Sequence, residues 1–249
     1  MKYPVLALSI VLMGPCALAD TRFALEDMDD QTVTVFNVRD GKVAFEQDGM
    51  LVAIYDSQNG SITQVDHNSK SYMVMDAAAM DEMATQMSAM MKQMEAQLAN
   101  MPPEQREAMM QMMPGMGDRM KGDKAKKSVT VDWTGEKSKV AGYPCKMAKV
   151  TTGDGDVSKA CIAKASTLGM PDEDYDAITA MFQSMQDMAE RFGEAPQMPD
   201  AKAMGGIPIR MTDSDGKTSQ LKTFSTDDLD GVLFEVPASY QQRSMTDGM

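Results

Sequence analysis

The chain has 249 residues, of which 37 are acidic and 24 basic, for a formal net charge of −13. A surface of that sign repels phosphate backbones, which argues against nucleic acid as a partner, and the acidity itself reads as solubility. A single histidine rules out most catalytic triads and zinc sites by arithmetic. No G-x-S-x-G, H-E-x-x-H or G-x-x-x-x-G-K-[ST] motif occurs either.

The first stretch, MKYPVLALSIVLMGPCALAD, reads as an export leader. One cation, Lys2, precedes an apolar run from Val5 to Met13, and Ala17-Leu18-Ala19 is a small-x-small cleavage signature. The run is too short to span a bilayer, which takes about 20 residues. Cleavage between Ala19 and Asp20 is expected. Retention as an anchor is the alternative, and lipid modification of Cys16 is a second one, though Pro15 suits such a site poorly. Of the 24 basic residues only Lys2 leaves, so 23 remain against 37 acidic ones. No later segment is apolar enough to cross a membrane.

A ladder of strands and tight turns follows. Thr32–Val38, Val43–Gln47, Leu51–Tyr55, Ile62–Asp66 and Ser71–Val74 alternate or are apolar. They are separated by Asp40-Gly41, Asp48-Gly49, Asn59-Gly60 and Asn68-Ser69. Aspartate-glycine and asparagine-glycine between short apolar runs are strong hairpin signals, so an antiparallel meander of five strands is expected. His67 sits in the last turn, where a lone histidine is normally exposed to solvent.

The period then changes to that of a helix from Asp76 to Asn100. Between Met73 and Met120, 15 of 48 positions are methionine. On a helical wheel Met80, Met83, Met87, Met90, Met91 and Met94 share an arc of about 100°. PPEQREAMMQMM starts a second short helix with proline in its first turn. Met109, Met112, Met113 and Met116 lie on one side of it, and Met110 strays. Lysines 121, 124, 126 and 127 read as a solvated linker.

Strand signals return at Ser128–Trp133 and in CKMAKVTTGDGDVSKAC. The two cysteines left after export, Cys145 and Cys161, are expected to form a structural disulfide in an oxidising compartment. If the hairpin is centred on Gly153 the two are directly opposed and within disulfide reach. A third helix, from about Pro171 to Phe192, places Tyr175, Ile178, Met181, Phe182, Met185, Met188 and Phe192 on one face. Ile207–Thr212 and Thr218–Ser225 form a last hairpin, and Leu233–Pro237 reads as a final short strand. The acidic groups at Asp154/Asp156 and Asp213/Asp215 suit turns, and Asp172-Glu173-Asp174 suits a first helical turn.

A methionine stripe at helical spacing is ordinarily core. Methionine specifies packing poorly, however, and is favoured on surfaces that accept varied apolar partners. Thioethers also suit Cu(I) or Ag(I), which would draw on Met87, Met90, Met91, Met94, Met109, Met110, Met112 and Met113. Reversible sulfoxide formation is a further use.

AGYPCKMAKV (141–150), Cys161-Ile162-Ala163, LFEVPASY (233–240), the PPEQR stretch at 102–106 and KSYMVMD (70–76) resemble an exported bacterial family known only as a domain of unknown function. The likeness runs over most of residues 22–240. That family resembles in architecture the lipoprotein-localisation carriers (LolA/LolB-like), although the carriers do not share the methionine-rich insert. The resemblance implies a curved antiparallel half-barrel with helical lids over an apolar cavity. It carries over no catalytic residue and no ligand.

The expected fold is α+β: a curved antiparallel sheet with amphipathic, methionine-rich helices on one face. It forms one domain over 20–249, with residues 1–19 removed and an insert at about 76–120. The expected function is a non-enzymatic periplasmic or secreted binding protein without a cofactor. Its partner would be a lipid, acyl chain or hydrophobic peptide. The groove or lid would be formed by Met80, Met83, Met87, Met90, Met91, Met94, Met109, Met112, Met113, Met116, Ile178, Met181, Phe182 and Met185. A Cu(I)/Ag(I)-binding protein and a structural or interaction protein of the envelope are the alternatives.

Overall fold

The computed structural model describes residues 19–99, 101–102, 129–153, 155–191, 199 and 204–244. The ladder has six strands, not five: β1 (Asp20–Asp27), β2 (Val33–Arg39), β3 (Lys42–Gln47), β4 (Met50–Asp56), β5 (Ser61–Asp66) and β6 (Ser71–Met75), each antiparallel to the next. The turn chemistry explains the register. Asp40 and Gly41, like Asp48 and Gly49, have φ of 50°, 77°, 52° and 76°, the double positive φ of a type I′ hairpin turn.

Helix α1 (Ala77–Ala99) follows β6 directly, and Asp76 caps it by accepting from the Ala79 N–H at 2.8 Å. The sheet resumes with β7 (Thr130–Val140), β8 (Tyr143–Thr151) and β9 (Val157–Ala163). After a single helical turn, α2 (Ala165–Leu168), comes α3 (Asp172–Arg191), and then β10 (Ile207–Thr212) and β11 (Thr218–Asp227). β12 is two residues, Gln241–Gln242.

All twelve strands form one sheet in the order β12-β6-β5-β4-β3-β2-β1-β11-β10-β9-β8-β7. Its middle is the pairing of β1 with β11, which joins the two ends of the chain. Among the described residues only the β12–β6 pair is parallel. β7 and β12 are the edges, so the sheet is open. Its curvature shows in Tyr143 and Phe224, whose ring centroids lie 5.8 Å apart. They come from β8 and β11, which are three strands apart, or about 14 Å in a flat sheet.

Segments pack on both faces. Leu229, Leu233, Phe234 and Val236 pack on Ala44 and Ile54, on the face away from α3. The expected strand at Leu233–Pro237 is instead a 3-10 turn (Gly231–Phe234), capped by Asp230 accepting from the Val232 N–H. The segment runs under the sheet as a strap, fixed by side chains instead of by ladder bonds. The Leu229 N–H donates to Asp20 Oδ2 at 2.8 Å, and Arg39 donates to the Leu229 carbonyl.

The cysteines are joined, with Cα atoms 5.4 Å apart. They are diagonal neighbours and not directly opposed: Met147 pairs with Cys161 and Lys146 with Ile162. The loop closes through Thr152 N–H to Asp156 O, so the ladder is centred on residue 154 instead of 153.

Candidate functional site

α3 crosses the sheet at right angles to the strands, and the register shows what lies beneath it. Thr21, Val38, Val43 and Tyr55 are successive cross-strand partners on β1, β2, β3 and β4. All four are fully or almost fully buried. At one end Asp174 of α3 lies against Thr21. At the other, Ser184 Oγ is 3.0 Å from the Tyr55 hydroxyl. Ten helical residues rise about 15 Å and three strand spacings span about 14 Å, so the helix matches this row. Ala177, Ile178 and Met181 fill the space between, with Tyr175 and Phe182 at its margins.

Beyond the row, Arg191 in the last turn of α3 reaches Asp81 in α1 at 2.5 Å. Both side chains are largely exposed, so the pair is worth about 0–1 kcal/mol. It places the end of α3 beside the start of α1.

The next row along the strands is aromatic. Phe45, Phe36, Phe23 and Phe224 are direct cross-strand partners on β3, β2, β1 and β11. Phe23 stacks on Phe36 with centroids 4.6 Å apart, Phe36 meets Phe45 edge-on at 5.0 Å, and Phe224 lies 6.5 Å from Phe23 and touches Tyr143. Each such pair contributes about 0.5–1.5 kcal/mol beyond its buried area. Phe23 is buried; Phe36, Phe45, Phe224, Tyr143 and nearby Leu25 and Met147 are only half-buried. Among the described residues, the row under α3 is therefore closed, and the row beside it is a partly buried apolar shelf. Phe36 and Phe45 lie on strands that the sequence marks; Phe23 lies on β1, which it does not, and Phe224 joins the row only through the pairing of β1 with β11.

The methionines divide between core and surface. On α3, Ile178 and Met181 are core, Phe182 is half-buried and packs against the core, and Met185 is 47% exposed. Met188 is half-buried, and Phe192 lies outside the described residues. On α1, Met80 and Leu98 are buried, Met83 and Met94 half-buried, and Met90 is 65% exposed. The side chains of Met87 and Met91 lie outside the described residues, as do Met109, Met110, Met112, Met113 and Met116 and the expected second helix. α1 packs on β6. Lysines 121, 124, 126 and 127 also lie outside the described residues.

Three polar groups have surroundings the sequence does not show. Asp174 lies in the first turn of α3, as expected, but it is 2% exposed and its Oδ2 has no partner among the described residues. Burial pushes its carboxyl up to about 6; contact with Thr21 opposes the shift, and the carboxylates of Asp20 and Glu173 reinforce it. His67 is not a free turn histidine. Its Nε2 donates to the Leu51 carbonyl at 2.6 Å and its Nδ1 lies 2.7 Å from the Tyr240 hydroxyl. It therefore latches the end of the strap. Asp20, at the expected cleavage point, is buried and holds the start of the strap. Among the described residues, no group of three or more His, Cys, Asp or Glu is placed to hold a metal ion, and no helix is long and apolar enough to cross a membrane.

Compared with known families, residues 69–240 match the family described as "Domain of unknown function (DUF4412)". No curated protein matches. Among solved structures, PNGF-II in a C2 space group is 8% identical with a TM-score of 0.42, covering 91% of this chain and 31% of that one. PNGF-II in a P21 space group is 8% identical with a TM-score of 0.39, covering 87% and 30%. The chain thus spans about a third of the length of these structures.

Proposed function

The chain belongs to the DUF4412 family, and from that premise we propose that it is a non-enzymatic binding protein of the periplasm or cell exterior. Its ligand is a lipid, an acyl chain or a hydrophobic peptide. The observation that carries this reading is the half-buried aromatic row Phe45–Phe36–Phe23–Phe224 beside α3. Pockets for small apolar ligands are lined by such rings with few polar groups, and the curved sheet under a crossing helix suits the half-barrel of the lipoprotein-localisation carriers. In this reading the methionine helices form the adaptable wall or lid.

Native mass spectrometry of protein taken from its own compartment tests the idea, together with displacement of a fluorescent fatty acid. We expect a co-purifying acyl species or saturable displacement, weakened by Phe36→Ser with Phe45→Ser. Absence of both in the unmodified protein would overturn it.

The exposed thioethers of Met90 and Met185 favour a second reading, capture of Cu(I) or Ag(I). Cys145 and Cys161 are oxidised and both His67 nitrogens are engaged, so in the chain without its leader the sulfurs of methionine would have to carry the metal. Titration with Cu(I) against a competing chelator decides between them. Sub-micromolar binding lost on Met→Leu replacement in α1 would put metal first.

A further inference from the structure

The β7–β8 hairpin carries an unusual surface for so acidic a chain. Lys137 pairs directly with Lys146, Lys139 with Pro144 and Trp133 with Ala148. Because side chains alternate along β8, Pro144, Lys146 and Ala148 share one face, while Tyr143, Cys145 and Met147 turn to the core. Trp133, Lys137, Lys139 and Lys146 therefore lie together on the first face. The three lysines are exposed, and Trp133 is 47% exposed.

Two like charges placed directly opposite each other destabilise a hairpin, and acidic residues are plentiful in this chain of net charge −13. Yet among the described residues none of the three lysines has an ion-pair partner; the ion pairs use Arg22, Arg39, Arg191 and Lys222. Glu136 sits in the bulge between Trp133 and Lys137 and is exposed. A tryptophan beside unneutralised lysines is the arrangement that suits a membrane–water interface, where its ring lies at headgroup level.

We propose that the outer half of the β7–β8 hairpin docks the protein on an anionic lipid surface, with Lys137, Lys139 and Lys146 facing phosphate headgroups and Trp133 entering the interface. The surface is independent of what the methionine helices hold. Each lysine brought to such a membrane strengthens adsorption by about fivefold.

Trp133 is the only tryptophan in the chain, so its fluorescence reports this face alone. The protein, purified after export, is titrated with vesicles of phosphatidylglycerol and phosphatidylcholine and with phosphatidylcholine alone, and sedimented in parallel. We expect a blue shift and co-sedimentation only with the anionic vesicles, both reversed by high salt. Lys137→Gln with Lys146→Gln should lower partitioning by about thirtyfold. Lys149→Gln with Lys159→Gln, a pair opposed on the other face, should change it by no more than about twofold. Circular dichroism checks that each variant is folded. Absence of a shift with anionic vesicles overturns the proposal, as does an equal loss in the two double variants. Saturable binding to polyglutamate without vesicle binding also overturns it and points to an acidic protein partner.

Discussion

Asp174→Asn should stabilise this protein at neutral pH, although it removes an acid from the first turn of a helix. The residue is 2% exposed, one carboxyl oxygen has no partner among the described residues, and burial pushes its pKa from 3.8 up to about 6. A shift of about two units corresponds to about 3 kcal/mol between the protonated and charged forms. The folded state holds its proton more tightly than the unfolded chain. The group's contribution is therefore fully present below pH 3.8 and is lost as pH rises through about 6. The positive end of α3 favours the charge by about 0.3–1 kcal/mol, which is too little to reverse the sign. Urea unfolding of both proteins from pH 4 to pH 8 measures this. The variant's advantage should approach 2–3 kcal/mol at pH 8 and fade toward pH 4. A variant that is less stable by the same amount at every pH would show the carboxylate to be satisfied and the reasoning wrong.

Cys145→Ser with Cys161→Ser should cost roughly 3 kcal/mol for a loop of this size, read as the shift in urea midpoint; a loss no greater than that of reducing agent on the parent is expected. Tyr240→Phe leaves His67 Nδ1 unpaired and should cost about 1–2 kcal/mol, with faster amide exchange in residues 229–242 but not in β8 and β9. Limited peroxide followed by peptide mapping should oxidise Met90 and Met185 well before Met80, Met170, Met181 and Met204, which are buried; equal rates would contradict the burial described. The intact mass of the exported protein should correspond to a chain starting at Asp20.

The parts of the fold written in local chemistry were legible. Asp40-Gly41 and Asp48-Gly49 set their turns whatever the rest of the chain does, and the period of α1 and α3 is visible over twenty residues. What escaped depends on partners far away in the chain. β1 carries a charge at either end, and its pairing with β11 joins positions about 200 residues apart. The latch on His67 comes from Tyr240, 173 residues on. LFEVP has the apolar content of a strand, but it is spent on one face of the existing sheet, and Asp230 caps a 3-10 turn there. The cysteine register slipped because the loop spans Thr152 to Asp156 instead of a tight turn centred on Gly153.

The same register divides the sheet's inner surface into a buried row and a half-buried one. A helix laid across strands can close only the rows within its own width, about 10 Å with side chains, and rows on one face of a strand are spaced by two residues, about 6–7 Å. α3 closes the row of Thr21, Val38, Val43 and Tyr55. The phenylalanine row begins two residues further along each strand, where Phe23 is buried and Phe36, Phe45 and Phe224 are half-buried. Rings that served stability alone would gain from complete burial, at about 25 cal/mol for each additional Å² covered. Keeping four of them in register along the margin of the helix forgoes that gain at three positions. Under the reading proposed above, an apolar occupant of this row would recover that burial.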